Sequence, residues 1–251
     1  MKKLIKKIKD SKLVKNKVFR ITVFCALLLI WAFAAFVLSQ FATAYPLLWI
    51  FGKEWLNSSV GMLVYTIISY VLAAVLVLLV PALISKKFKT SREELGLTGL
   101  PTWTDIGLAP IAYITATIGA LGLVSLFSLF PWFNATETQD VGAKILAGGW
   151  DRAMAFVRLV VIAPIVEELV FRGWLYGKLR TKLAMPIAIA LVSILFGIVH
   201  WQWNVGVNVF AMSIVLCGLR EITGTIYAGI LMHMVKNAIA LAILIFFPGM
   251  V

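Results

Sequence analysis

Charge is scarce in this chain. Asp, Glu, Lys and Arg make up 14% of its 251 residues and hydrophobic types 62%, against roughly 25% and 45–50% for an ordinary globular domain. So much apolar surface cannot be hidden in a water-soluble chain of this length, which excludes a soluble enzyme and a disordered chain. Cysteine is nearly missing. Cys25 and Cys217 both lie in apolar stretches without metal-site spacing, which excludes a disulfide scaffold and makes both small buried hydrophobes. Acids are the rarer charge, 11 against 23 Lys and Arg. No internal repeat, low-complexity segment or separate soluble domain stands out. The net charge of +12 is concentrated at the start, where residues 1–20 hold nine cations and one acid, Asp10. A basic cap before a long apolar segment is a topology signal and an anionic-lipid contact, so no nucleic-acid partner is expected.

What is present is a series of long uncharged runs. Ile21–Gly52, Trp55–Ser85 and Ile106–Thr136 each exceed 30 residues, and Leu183–Leu219 spans 37 with one histidine. Crossing a bilayer takes about 20 apolar residues, and in lipid a run of this kind must be helical. The expected architecture is an all-α, polytopic transmembrane helical bundle of about seven spans, at 19–43, 58–84, 106–130, 153–179, 184–201, 204–219 and 222–247. Residues 1–18 form a basic cytoplasmic segment, either a charged tail or an interfacial helix, and 19–251 a single transmembrane domain. Lys86, Lys87, Lys89 and Arg92 follow the second span, and Lys178, Arg180 and Lys182 the fourth. Lys53, Glu54, Glu137, Asp140, Lys144, Asp151 and Arg152 occupy the alternate loops. The positive-inside rule places the N-terminus and the lysine-rich loops in the cytoplasm of a cell whose short, lysine-rich chain reads as bacterial. Trp201 and Trp203 suit an interfacial belt at the outer end of the fifth span. Ala42-Thr43-Ala44 resembles a cleavage site, but the apolar stretch before it exceeds a signal h-region, so an uncleaved anchor is expected.

Ionisable groups inside spans are costly and by default functional. Of the 11 acids, only Glu167 and Glu168 lie within an apolar span, and both histidines, His200 and His233, are also intramembrane. Glu168 and Arg172 are four residues apart on one helical face and can neutralise each other. Glu167, about 100° around the helix, is then free to face a cavity. Pro164 supplies no N–H, so the turn before the glutamates should be bent and opened. Phe196 with His200, and His233 with Asn237, repeat the four-residue spacing and line shared walls. A buried Glu167 can take a proton from water that His200 orients, while His233 and Asn237 donate to the oxyanion of an attacked carbonyl. That is an apparatus for peptide hydrolysis without a covalent intermediate. The rival chemistry is a zinc site with Glu167, His200 and His233 as ligands, although the common helix-borne His-Glu-x-x-His signature is missing.

The series Glu167-Glu168-Leu169-Val170-Phe171-Arg172-Gly173, Phe196-x-x-x-His200 and His233-x-x-x-Asn237, with Gly218-Leu219 and Thr223-Gly224 between the histidine motifs, resembles the CPBP family of intramembrane proteases. That family includes the CAAX-processing endopeptidases and the bacteriocin-processing or immunity (Abi) proteins. The resemblance covers about Asp151 to Ala240. It implies an all-helical fold, cleavage of a peptide bond of a membrane-associated peptide or protein, Glu167 as base, His200 as its partner, and His233 with Asn237 at the oxyanion. Family members are often named metalloproteases, but a metal-free mechanism gives each residue a distinct role, so no cofactor is expected. A second pair, Glu93-Glu94, lies in a charged loop with Thr98 where the motif requires Arg, and reads as solvated loop or interfacial helix. The alternative function is a non-catalytic bacteriocin self-immunity or scaffold protein, with the polar sites as interhelical glue. A carrier is disfavoured by the lack of a second set of intramembrane acids.

Overall fold

The computed structural model describes residues 16–137 and 148–247. Residues 1–15 of the basic segment, Asp140 and Lys144 lie outside the described residues. Seven helical stretches follow in order. They are α1 (Lys17–Leu56), α2 (Ser59–Ile84), α3 (Trp103–Phe127), a composite α4 (149–180), α5 (Met185–Ile198), α6 (Trp203–Thr223) and α7 (Tyr227–Phe246). The fold is all-α, as expected. The count of seven spans is not matched by length and composition. Among the described residues, five helices are long and apolar enough to cross a membrane, namely α1, α2, α3, α6 and α7. The short segment expected at 204–219 is one of them, extended to 21 residues. The helix expected to stop at 43 runs on for 40 residues, with Pro46 inside and a bend at Gly52. By contrast α5 has only 14 residues, and α4 is divided into shorter α and π stretches.

The first three helices start with side-chain caps. Asn16 caps α1 through its side chain, Ser58 caps α2, and Thr102 with Asp105 forms a reciprocal capping box on α3. Small residues then allow close packing. Ala109, Ala112, Ala116 and Ala120 make the buried stripe of α3, which packs against α6 and α7. The outward faces carry exposed Leu27, Ile30, Ile67, Val71, Ile114 and Ile118, an apolar jacket suited to lipid. Cys25 and Cys217 are free and buried, as expected.

The loops alternate between the two ends of the bundle. At one end the lysine-rich stretches meet, where Lys178 Nζ donates to Lys89 O at 2.8 Å and to Glu94 Oε2 at 3.2 Å. Residues 86–102 form a strap across this end. Its Leu95 is buried in the core, its Gly96 carbonyl accepts from Ile226 N at 3.1 Å, and its Gly99 carbonyl accepts from the Tyr227 hydroxyl at 3.0 Å. Arg220 Nη2 adds a bond to Glu94 O at 3.0 Å. Glu93 and Glu94 are exposed on this loop, as their sequence context suggested. At the other end Ser59 Oγ donates to Asp151 Oδ1 at 2.7 Å, and Asn204 Nδ2 reaches Glu137 O at 2.6 Å.

Helices α5 and α6 touch backbone to backbone. A Cβ built on Gly206 would stand 3.0 Å from Gly197 O, and one on Gly197 would stand 2.9 Å from Gly206 O. Neither carbonyl can swing aside as a flexible side chain would. Gly206→Ala is therefore expected to lower stability by about 1–3 kcal/mol, the usual overpacking range. A melting curve of the purified protein superimposable on the parent's would contradict this.

Candidate active site

The site is assembled from α2, α4, the end of α5, and α7. Its shape begins with Pro164, which has no N–H to give the carbonyl four residues back. The backbone on either side winds wider, with π-helical turns at Val157–Ile162 and Glu168–Tyr176 around a short α stretch, Ala163–Glu167. Such wide turns inside helices recur at functional sites. The bend expected from the proline is thus a pair of π segments, and the two glutamates stand at the junction with the second.

Glu168 and Arg172 are both 0% exposed, and Arg172 Nη1 donates to Glu168 Oε1 at 2.9 Å. The same oxygen accepts from His233 Nδ1–H at 3.0 Å. A carboxylate only accepts, so Nδ1 of this ring carries the proton. Glu168 is therefore more than the neutralising partner of Arg172, because it also fixes the ring of His233. Gly229, one turn before His233 on α7, leaves the room this requires, since a Cβ there would stand 3.1 Å from Glu168 Oε2. Phe196 is the plate beneath the cluster. The Arg172 guanidinium lies 4.2 Å from its ring centroid, and its edge contacts include His200 at 5.0 Å and His233 at 6.1 Å.

Glu167, 7% exposed, faces the other way. Its Oε2 is 3.8 Å from His233 Nε2, and its Oε1 accepts the Tyr70 hydroxyl at 2.7 Å. Tyr70 was not anticipated from sequence. It lies 97 residues away on α2, and a tyrosine in an apolar span carries no charge to mark it. His200 sits just past the end of α5, with Nδ1–H donating to Phe196 O at 2.7 Å, so its Nε2 is the free ring nitrogen. It is within electrostatic reach of Glu167, His233 and Lys236. The next residue, Trp201, takes a left-handed φ of 58°, a costly conformation for a bulky side chain and one that recurs at functional sites. Asn237, on the same helical face as His233, donates Nδ2–H to Leu159 O in the first π segment at 2.8 Å. That bond ties α7 to α4 and commits one of the two amide hydrogens.

Glu167, Glu168, Arg172, Phe196, His200, His233 and Asn237 are thus brought into one neighbourhood from three parts of the sequence. The zinc alternative fits less well. Among the described residues, no three His, Cys, Asp or Glu side chains are grouped to hold a metal ion.

Removing Arg172 would leave Glu168 in a dry interior with only His233. Arg172→Ala is expected to cost roughly 3–5 kcal/mol, seen as reduced accumulation in membranes and a lower melting temperature. Normal accumulation with unchanged melting would show that Glu168 does not need its partner.

The matching segment in known proteins coincides with this neighbourhood. No curated protein and no solved structure matches the chain. Residues 149–239 match the family described as Type II CAAX prenyl endopeptidase Rce1-like, a span that holds both glutamates, both histidines and Asn237. The part of the chain that builds the site thus falls within the stretch that is similar to that family.

Proposed function

We propose that this chain is an intramembrane endopeptidase that hydrolyses a peptide bond of a membrane-associated peptide or protein, using water activated by Glu167 without a metal ion. The observation that carries this reading is the division of labour between adjacent acids. Glu168 is committed to Arg172 and His233, whereas Glu167 is left with a tyrosine hydroxyl on one oxygen and open reach on the other. A carboxylate so placed serves as a general base, and an imidazole held by a second carboxylate is a well-oriented partner.

In the reaction, Glu167 accepts a proton from water as the water oxygen bonds to the carbonyl carbon. The carbonyl π pair moves onto oxygen, which faces the side of α7 that bears Asn237 and its second amide hydrogen, and His233, whose Nε2 donates while the ring is doubly protonated. His200 holds the water through Nε2. Collapse restores the carbonyl and breaks the C–N bond. The electron pair stays on nitrogen, which takes the proton back from Glu167, so one water is consumed and a carboxylic acid and an amine leave. A groove of about 460 Å³ between α3, α5 and α6, lined in part by Leu123, Phe127, Ile194, Trp203 and Phe210, reaches Trp201 beside His200. It suits an apolar segment or lipid anchor of the substrate.

In the membrane we place the N-terminus, the basic segment 1–18 and the strap end in the cytoplasm. Helices α4 and α5 complete seven passes of one transmembrane domain, 19–251.

Glu167→Gln keeps the size and polarity of the side chain and removes the base. On an internally quenched, farnesylated peptide its rate is expected to fall by about 10²-fold or more, with membrane levels unchanged. Parental turnover by purified Glu167→Gln would sink the proposal, and full biological function of this variant would favour the immunity or scaffold role.

The parent is further expected to keep its rate after exhaustive dialysis against chelator. About one zinc per chain, lost together with activity in His233→Ala, would overturn the metal-free mechanism.

A further inference from the structure

Hydroxyl groups inside the spans must find an acceptor within the protein, because lipid supplies none. Those of serine and threonine turn back on their own helix. Ser39 donates to Phe36 O at 2.7 Å, Thr66 to Met62 O at 2.8 Å and Ser69 to Thr66 O at 3.3 Å. A phenol is too long for that and reaches another helix. On α2, Tyr65 donates to Gln40 Oε1 of α1, and Tyr70 donates to Glu167 Oε1 of α4 at 2.7 Å. The first bond joins two neutral groups and is ordinary glue between helices. The second ends on the base of the proposed reaction.

The Tyr70 ring is set by other rings. It meets Phe36 of α1 edge-on, with centroids 5.9 Å apart and planes at 78°. Phe36 in turn meets Phe171 of α4 at 6.1 Å, and Phe171 meets Phe196 of α5 at 5.0 Å. Phe36, Phe171 and Phe196 are all buried. One line of edge contacts thus ties the Tyr70 hydroxyl to the plate on which Arg172, His200 and His233 rest. The carboxylate needs a fixed donor of this kind. The last torsion of a glutamate is broad and two-fold, so the backbone at Glu167 does not decide where its oxygens point. With Oε1 taken by Tyr70, Oε2 is the oxygen turned toward His233, 3.8 Å from Nε2.

We infer that Tyr70 is a positioning residue of this site, its hydroxyl holding Glu167 Oε1 so that Oε2 faces the water to be deprotonated. This rests on the protease reading above. The hydroxyl keeps its hydrogen throughout. The proton taken from water passes to Glu167 Oε2 and from there to the leaving nitrogen. Tyr70 acts through Glu167 and not on the substrate, so losing the hydroxyl misaligns the base without weakening substrate binding. The effect falls on kcat rather than on KM.

The test uses full-length protein in lipid nanodiscs, with Tyr70→Phe, Tyr65→Phe and Glu167→Gln beside the parent on the quenched farnesylated peptide. Tyr70→Phe keeps the ring on Phe36 and removes one oxygen atom. It is expected to lose about 10–10²-fold in kcat with KM unchanged. Tyr65→Phe makes the same change at the bond to Gln40 and is expected to turn over at the parental rate. Para-aminophenylalanine at position 70, which restores a ring-borne N–H donor, is expected to regain part of the loss. Independently of turnover, the carboxylate stretch of Glu167, taken as the infrared difference between each protein and its Glu167→Gln version, is expected to shift in Tyr70→Phe. Parental kcat in Tyr70→Phe, with Glu167→Gln inactive, overturns the Tyr70 role and leaves the protease reading intact. An equal loss in Tyr65→Phe, or an unmoved carboxylate band, overturns it as well. If the parent leaves the peptide whole, the protease reading fails and the positioning role falls with it.

Discussion

One carboxylate oxygen, Glu168 Oε1, accepts both from Arg172 and from His233 in a position closed to water. A charge cannot stand alone there, since leaving water costs more than any single contact returns. The pairing sets conditions on residues well beyond the pair. Position 172 must carry a planar cation, because its guanidinium both meets the carboxylate and stacks on Phe196. Position 229 must leave space for the second oxygen. Position 233 must present a ring nitrogen toward α4. Remove the carboxylate and the ring that faces Glu167 loses the contact that orients it.

Two adjacent residues of like charge can hold such different posts because the helix that bears them is not uniform. Pro164 breaks the regular ladder, and π turns precede and follow Ala163–Glu167. The wider turns are also where α7 gains its hold on α4, through Asn237 and the Leu159 carbonyl. The same irregularity therefore presents the acids and anchors the helix that carries the histidine.

The parts of this arrangement that are local in sequence could be read from it. Glu168 and Arg172 share a face by spacing alone, Phe196 and His200 likewise, and a proline before paired acids signals a distorted turn. Contacts whose partner is a backbone atom or an uncharged side chain could not. Leu159 is one apolar residue among many, and only the fold reveals that its carbonyl meets Asn237. Tyr70 is as ordinary in an apolar run until α2 is seen against α4. The span bounds were misplaced for a related reason. An absence of charge marks where a helix can lie in lipid, but it does not reveal that 149–180 is subdivided, that α5 ends at Ile198, or that α1 continues past residue 43.

The strap across the lysine-rich end gives the ion pair a remote dependence. Its Leu95 joins the same buried cluster as Val170, Phe171 and Trp174 around Arg172, and it is moored by bonds from Lys178, Arg220, Ile226 and Tyr227. The strap works as a gasket. The dryness that makes Glu168 and Arg172 cling to one another is maintained by a loop that contains neither, so its fit governs how much solvent the charged pair must share.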